Sequence, residues 1–293
     1  MSEQQLNSAM TYGGLPCVAN TIAQLTGMDI PYAGLITFDG VIGVSNAIGG
    51  VDVCLTQPIV DEYTGLDLPA GENTLVGWDA LQFLRTRHGV GNGGDTSRIS
   101  NQQVFMSALV RKLKSSETLS DPVKVYALAK AGVENMTLSK DMASVPFMQQ
   151  LAGTVKDIDL DRINFVQYPS FDHPYESGRL MPDTASAEAL FDIIKSGQPF
   201  SVTGVGEGVE VEGQAGTQDP GQDQTTDPTT GEPVDPATGE PVDPATGEPV
   251  DPATGGDGTP TTPADPNAPV QLPSNITGVP ASTEACSMGR TVL

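Results

Sequence analysis

Hydrophobic residues recur every three or four positions along several stretches of the chain, which is the spacing of amphipathic helices. In the longest stretch, Phe105, Leu109 and Leu113 would share one helix face. The pattern predicts seven helices, at Leu15 to Thr26, Gly40 to Ile48, Trp78 to Arg87, Ser97 to Lys114, Ser120 to Asn135, Lys140 to Val155 and Thr184 to Ser196. Gly49 and Gly50 are a typical stop signal after the second of them.

Short apolar runs between these helices predict β-strands. The runs Ala33 to Phe38, Val51 to Leu55 and Ile163 to Tyr168 are too short for stable helices and contain many β-branched and aromatic residues. Because helices and strands alternate, the sequence indicates an α/β fold rather than a helical bundle.

The composition changes after Phe200, beyond which the chain has no aromatic residue. Residues 232–255 are three copies of EPVDPATG, which carries too little apolar surface to offset the entropy of ordering. We therefore predict a folded domain over residues 1–200 and a disordered acidic tail over residues 201–293. A calcium site in the repeats is disfavoured, because their isolated carboxylates do not form a cage of oxygen ligands.

The formal charge of −23 is uneven, because Arg290 is the single basic residue after Phe200. An acidic chain is a poor partner for nucleic acid, whose phosphates need basic surface. The sequence also contains neither a secretory signal pattern nor an apolar run of about 18 residues that would span a membrane.

Against this acidic background, residues 84–103, LRTRHGVGNGGDTSRISNQQ, concentrate positive charge. Arg85 and Arg87 stand at a helix end, and the glycines after them permit a tight turn. Arg98 falls in the first turn of the next helix, where the helix dipole disfavours a cation, and Gln102 lies one turn further on the same face. Arginine forks and a helix N-terminus together predict a pocket for phosphate or pyrophosphate.

The spacing leaves an ordinary alternative, in which the arginines form surface ion pairs with Asp79 and Asp95. His88 is more typical of a solvated loop residue than of an acid or base. His173 has no histidine or cysteine partner at the spacing of zinc ligands. Arg179 would contact either the phosphate or a surface carboxylate.

The segment DALQFLRTRHGVGNGGDTSRISNQQVFMSALVRKLKS resembles the signature of the LytR-CpsA-Psr family, with Arg-x-Arg, a glycine loop, Gly-Asp-x-x-Arg and a following glutamine. The pieces LNSAMTYGG, ITFDGVIGVSNAIGGVDVCL and RLMPDTASAEALFDIIKSGQPF occur in the family order. The resemblance covers about residues 5 to 200, and the variant RISNQQVF is similar to the actinobacterial branch. It implies an αβα sandwich around a mixed central sheet.

The resemblance also implies a function in cell wall assembly. Family members are membrane-anchored, extracytoplasmic phosphotransferases that move a glycopolymer, such as a teichoic acid or an arabinogalactan precursor, from a polyprenyl-pyrophosphate carrier onto peptidoglycan, with Mg²⁺ as cofactor. The alternative hypothesis is a noncatalytic cell-surface protein that binds anionic lipid or glycan and has lost the metal site. Residues 123–133 and 143–151 would form ordinary core helices or line an apolar channel for the lipid.

The resemblance carries roles to individual residues. Arg85, Arg87 and Asp95 would be catalytic, with Asp95 orienting an arginine or the metal shell rather than acting alone. The expected pyrophosphate ligands are Arg85, Arg87, Arg98 and Gln102. Asn101 stands where family members often have arginine.

A full family member begins with a membrane helix and further strands that carry the expected metal ligands. This sequence resembles such a protein from the middle of its domain onwards, so the metal ligands are unknown and membrane attachment would depend on the missing helix. We therefore expect an open sheet edge, low stability and low activity.

The resemblance implies a disulfide between Cys17 and Cys54, which suits an oxidising exterior. Two buried free thiols are the alternative. Cys286 is left over and would be free or pair with another molecule.

Overall fold

The computed structural model describes residues 5–115, 119–176, 178–211 and 269–292. Within these ranges the chain forms seven α-helices, α1 (Ala9–Thr26), α2 (Phe38–Ala47), α3 (Trp78–Arg85), α4 (Asp95–Lys114), α5 (Pro122–Asn135), α6 (Val145–Asp157) and α7 (Thr184–Ser196). Short 3-10 helices cover Leu6–Ser8 and Leu160–Arg162. None of the helices in the described part is both long and apolar enough to cross a bilayer.

The strands are short, and most have two or three residues. They are β1 (Gly34–Ile36), β2 (Val51–Leu55), β3 (Ile59–Asp61), β4 (Leu66–Leu68), β5 (Gly71–Leu75), β6 (Met136–Leu138), β7 (Asn164–Val166), β8 (Ser170–Asp172), β9 (Leu180–Pro182), β10 (Phe200–Ser201), β11 (Val209–Val211), β12 (Val270–Gln271), β13 (Gly278–Pro280), β14 (Ala285–Ser287) and β15 (Thr291–Val292).

Capping side chains explain why two of the observed helices, α2 and α6, begin elsewhere than predicted. The Thr37 hydroxyl accepts a hydrogen bond from the Gly40 amide at 3.1 Å, so α2 begins at Phe38 and β1 is shorter than predicted. Likewise, the Ser144 hydroxyl accepts from the Phe147 amide, so α6 begins about five residues later than predicted. The predicted stop after α2 is confirmed, since Gly49 and Gly50 both have positive φ.

The largest sheet has the strand order β11-β14-β2-β5. Strand β14 is parallel to β2, whereas the β11–β14 and β2–β5 pairs are antiparallel, so this sheet is mixed. Val51, Val53 and Leu55 of β2 are buried against a core that includes Phe83 of α3 and Phe105 of α4. The architecture is thus the mixed α/β fold expected from the sequence.

Residues 269–292, which we call the C-terminal segment, belong to this folded unit. Strand β12 pairs with β10, β13 with β7, β14 with β2 and β11, and β15 with β3. Ile276, Val279 and Ala281 are fully buried, and burial of a side chain as large as those of Ile276 and Val279 stabilises the fold by about 1.5–3 kcal/mol.

The predicted domain boundary at residue 200 is therefore wrong for residues 201–211 and 269–292, which form strands of the domain rather than a tail. These strands are too short to show a hydrophobic period, and they become stable only through partners that are distant in sequence. Strand β2 is paired along both edges, with β14 and with β5. The EPVDPATG repeats at residues 232–255 lie outside the described residues.

The disulfide joins Cys54 to Cys286, so the predicted Cys17–Cys54 pair is wrong. Strands β2 and β14 place Cys54 directly beside Cys286, with a Cα–Cα distance of 4.5 Å. Cys17 lies on α1 as a half-buried free thiol. Because the two bonded cysteines are 232 residues apart, only the tertiary pairing of β14 identifies the partner.

Candidate anion-binding site

The loop of residues 86–94 connects α3 to α4, and a buried carboxylate holds its first residue. The Thr86 hydroxyl donates to Asp61 Oδ2 at 2.5 Å and accepts from the Gly89 amide at 3.2 Å. Asp61 is only 1% exposed and also accepts a hydrogen bond from the Tyr63 amide. The side chain that fixes the loop between Arg85 and Arg87 therefore comes from β3, and the sequence pattern did not single it out.

The other half of the loop is shaped by Asn92 and by glycines. Asn92 Oδ1 accepts from the Gly94 amide at 2.6 Å and from the Ser97 hydroxyl at 3.0 Å. Gly91 has φ +49°, and a Cβ there would lie 2.5 Å from Ser97 Oγ. A side chain at Gly91 would therefore clash as well as strain the backbone.

Two of the predicted arginines meet at one carboxylate. Asp95 is the first residue of α4, and its Oδ1 lies 2.8 Å from Arg98 Nη2 and 3.8 Å from Arg87 Nε. The arginines therefore form the surface ion pairs that the sequence allowed with Asp95. Within the described ranges no arginine pairs with Asp79. The Arg87, Asp95 and Arg98 side chains are 48%, 45% and 35% exposed, so water screens these pairs and an anion has access to them.

Arg98 retains a donor that its protein environment does not satisfy. Its Nε is buried and has no hydrogen-bond acceptor among the described residues. An unsatisfied buried donor costs about 1–3 kcal/mol, and more on a charged group.

Arg85, in contrast, lies against an aromatic ring. Its guanidinium carbon is 4.7 Å from the ring centre of Phe38 in α2. This contact is a cation–π interaction. The structure therefore brings Arg87 and Arg98 together at Asp95, and places Arg85 at the neighbouring α2–α3 contact.

Gln102 and Asn101 join α4 to the end of α3. Gln102 Nε2 donates to the Leu84 carbonyl at 2.9 Å, and Asn101 Nδ2 donates to the Phe83 carbonyl at 2.7 Å. Carbonyls in the last turn of a helix lack partners within the helix, so these amides satisfy them. Asn101 is fully buried and packs the two helices, while a pyrophosphate contact by Gln102 stays a prediction.

A fourth arginine reaches the loop from the C-terminal segment. Arg290 Nη1 donates to the Asn92 carbonyl at 2.7 Å, and the Arg290 amide donates to the Gly89 carbonyl at 2.7 Å. Sequence reasoning missed this residue because it assigned the segment to a tail. The sequence did offer one signal for Arg290, because it is the single basic residue after residue 200.

The remaining candidates have ordinary surroundings. The His88 ring packs on Tyr63 at 4.4 Å between ring centres, and His173 Nδ1 accepts from two nearby amides. Arg179 forms an ion pair with Glu176 at 2.7 Å. The residues that the structure describes contain no group of three histidine, cysteine or acidic side chains suited to hold a metal ion. The expected use of Mg²⁺ stays a prediction.

An apolar cavity of about 200 Å³ lies between α2, α4, α5 and α6. The side chains that line it include Val44, Leu113, Leu128, Met136, Met148 and Leu151. The cavity therefore lies among the helices for which the sequence allowed either core packing or an apolar channel.

Comparison with known proteins relates the chain to cell wall biosynthesis. Residues 1–194 match the LytR_cpsA_psr family. The chain is 33% identical over 155 residues to cell wall biosynthesis protein LcpA of Corynebacterium glutamicum, covering 52% of this chain and 30% of LcpA. It is 24% identical over 195 residues to the polyisoprenyl-teichoic acid–peptidoglycan teichoic acid transferase TagV of Bacillus subtilis, covering 64% of this chain and 49% of TagV. The chain thus spans less than half the length of these two relatives.

Two solved structures have a similar fold. The crystal structure of B. subtilis TagV aligns with a TM-score of 0.50 at 22% identity, over 67% of this chain and 75% of that one. A LytR-Csp2A-Psr enzyme from Actinomyces oris aligns with a TM-score of 0.50 at 22% identity, over 66% and 74% of the two chains.

Proposed function

Because the chain belongs to the LytR_cpsA_psr family, we propose that it is part of a cell-wall transferase. The proposed enzyme takes a glycopolymer from a polyprenyl-pyrophosphate carrier in the cell envelope and joins it to peptidoglycan. The names of LcpA and TagV, which refer to cell wall biosynthesis and teichoic acid transfer, support this assignment.

The meeting of Arg87 and Arg98 at Asp95 carries the proposal. Both guanidiniums lie at the N-terminal end of α4, where free backbone N–H groups favour an anion. Asp95 holds the two arginine side chains in place and is itself half exposed. A pyrophosphate could therefore contact both guanidiniums without unfolding of the loop.

The proposed chemistry is phosphoryl transfer. The acceptor hydroxyl forms a new O–P bond to the phosphorus that carries the glycan, and its proton is released. The bond from that phosphorus to the bridging oxygen breaks, and its electron pair leaves with polyprenyl monophosphate. Catalysis of this kind depends on positioning and on neutralising phosphate charge, which are the roles proposed for Arg87 and Arg98.

The apolar cavity supports a lipid-linked substrate. Its volume of about 200 Å³ exceeds the roughly 150 Å³ of an engineered cavity that binds benzene, so it has room for a short stretch of isoprene units. We propose that the helices α5 and α6 separate to admit more of the lipid. Few of their residues are buried: two in α5, Ala129 and Gly132, and none in α6.

The proposal is tested by release of polyprenyl phosphate from a synthetic lipid-linked glycan, with peptidoglycan as acceptor and Mg²⁺ present. Arg87→Gln and Arg98→Gln should each lower turnover by about 10²-fold, the typical cost of losing one donor to a developing negative charge. Arg179→Gln is the matched control, because the Arg179 and Arg87 side chains are equally exposed at 48%.

Loss of turnover in the two site variants, with Arg179→Gln unchanged, would support the transferase. Binding of the lipid pyrophosphate without turnover, both by this chain and by a longer version that carries the expected metal ligands, would favour a noncatalytic binding protein instead. If the unaltered chain neither binds nor turns over the substrate, the proposal is wrong.

A further inference from the structure

We propose that Arg290 is a pyrophosphate ligand, which the C-terminal segment supplies to the loop of residues 86–94. This inference rests on the proposed function of Arg87 and Arg98. It adds a binding residue that is separated by 192 positions from Arg98, and it gives the C-terminal segment a role in the site as well as in the fold.

The backbone around Arg290 is fixed from several sides. Cys286 is bonded to Cys54 of β2, and the Met288 carbonyl accepts from the Gly91 amide at 3.0 Å. The Arg290 amide donates to Gly89, and its carbonyl accepts from the Val60 amide at 3.3 Å. The segment therefore presents the Arg290 side chain to the loop at a defined position.

The side chain occupies space that only glycine leaves open. At Gly93, where φ is +85°, a Cβ would lie 2.8 Å from Arg290 Nη1 and 3.8 Å from the Cα of His88. Arg290 Nη1 thus lies against Gly93 and the Asn92 carbonyl. Arg87 belongs to the same loop and Asp95 is the first residue after it, and their side chains contact each other. Arg290 therefore contacts the loop that joins the residues of the Arg87–Asp95–Arg98 cluster.

The charge of Arg290 has no ion-pair partner in the part of the chain that the structure describes. Among the described residues, no carboxylate lies within ion-pair distance of its guanidinium, whereas Asp95 serves both Arg87 and Arg98. Its hydrogen bond to Asn92 uses one of five N–H donors, and the residue is exposed. Three arginines, set against Asp95 and against Glu207, which accepts from the Thr96 hydroxyl at 2.7 Å, leave a net positive site on a chain of charge −23, which suits a multiply charged pyrophosphate.

Calorimetric titration of the full chain with inorganic pyrophosphate tests the inference. Arg290→Gln should weaken the affinity about three- to tenfold, as expected for losing one partly exposed charged contact. It should also reduce the dependence of affinity on ionic strength, because one fewer cation faces the ligand. A purely structural effect on the loop would leave that salt dependence unchanged. Arg290→Lys, which keeps the charge, should recover part of the affinity.

Two control measurements test whether the Arg290 variant is folded and whether the effect is specific to this arginine. The backbone hydrogen bonds of Arg290 do not involve its side chain, so the melting temperature of Arg290→Gln should stay close to that of the unaltered chain. Arg162→Gln, on a 3-10 helix outside the loop, should bind pyrophosphate normally.

The failures of the two proposals are distinguishable. If Arg87→Gln weakens binding and Arg290→Gln does not, the role of Arg290 is refuted and the proposed function stands. If the unaltered chain does not bind pyrophosphate, both are refuted.

Discussion

Helix α1 has the clearer sequence pattern, whereas the C-terminal segment contributes more buried residues to the core. Helix α1 has a readable helical pattern, yet of its 18 residues only Ala9 and Thr26 are buried. The C-terminal segment has no periodic pattern, yet it buries residues such as Ile276 and Val279 and carries half of the disulfide. A strong local pattern therefore predicts local conformation and says little about how much a segment contributes to the core.

The disulfide gives the largest expected contrast between these two regions. Replacing both Cys54 and Cys286 with serine should lower the free energy of unfolding by about 2–5 kcal/mol, because the bond closes a very long loop in the unfolded chain. Cys17→Ser in α1 should change it by less than about 1 kcal/mol. Denaturant unfolding without reductant measures both.

Reduction of the unaltered chain should reproduce the double serine variant. Equal stability of the unaltered chain and that variant would mean that β14 does not need its covalent link to β2. A large loss of unfolding free energy in Cys17→Ser would show that α1 contributes as much to stability as the disulfide of the C-terminal segment.

Core packing gives the next contrast. Ile276 is fully buried with Leu190, Val202 and Leu272, so Ile276→Ala should cost about 2–4 kcal/mol through lost contacts and a cavity. Leu25 of α1 is 42% exposed, and Leu25→Ala should cost less than about 1 kcal/mol. Thermal and denaturant unfolding of the two variants would be compared. Similar losses would show that α1 is packed more firmly than its exposure indicates.

Helices were predictable from the sequence because their determinants are local. The predicted range Thr184–Ser196 is the observed α7, since Asp183 caps its start and Gly197 its end. The strands between Ile59 and Leu75 were not predicted, because their sequences, IVD, LDL and GENTL, contain no apolar run like the one that marks β2, and they depend on their partners for stability. The same reason applies to β12 to β15.

The candidate site divides in the same way. Arg87, Asp95 and Arg98 were predicted together because one short loop and one helix turn connect them. Asp61 and Arg290 were missed, because they reach the loop from β3 and from the C-terminal segment, which are distant from it in sequence. Sequence spacing identifies the residues contributed by one segment, and the fold supplies the others.

The smallest expected effect concerns a polar contact of the C-terminal segment. Asp183 accepts hydrogen bonds from the Ser186 hydroxyl at 2.5 Å and from the Ser186 amide at 3.1 Å. Asn275 of the C-terminal segment also donates to its carboxylate, at 3.3 Å. These bonds, chiefly those from Ser186, hold the pKa of Asp183 below its ordinary value because they stabilise the charged form.

A depressed pKa in the folded state gives stability that is fully present above the ordinary carboxyl pKa, near 4, and is lost as the pH falls through the folded value. Asp183→Asn should therefore flatten the decline of melting temperature below about pH 4. Asn275→Ala should flatten it slightly, whereas Asn20→Ala on the exposed face of α1 should leave the profile unchanged. Melting temperatures between pH 7 and pH 3 would be measured for all four proteins. If Asn275→Ala and the unaltered chain decline in parallel, the C-terminal segment stabilises the fold through its apolar residues and disulfide alone, and its polar contact to α7 adds nothing.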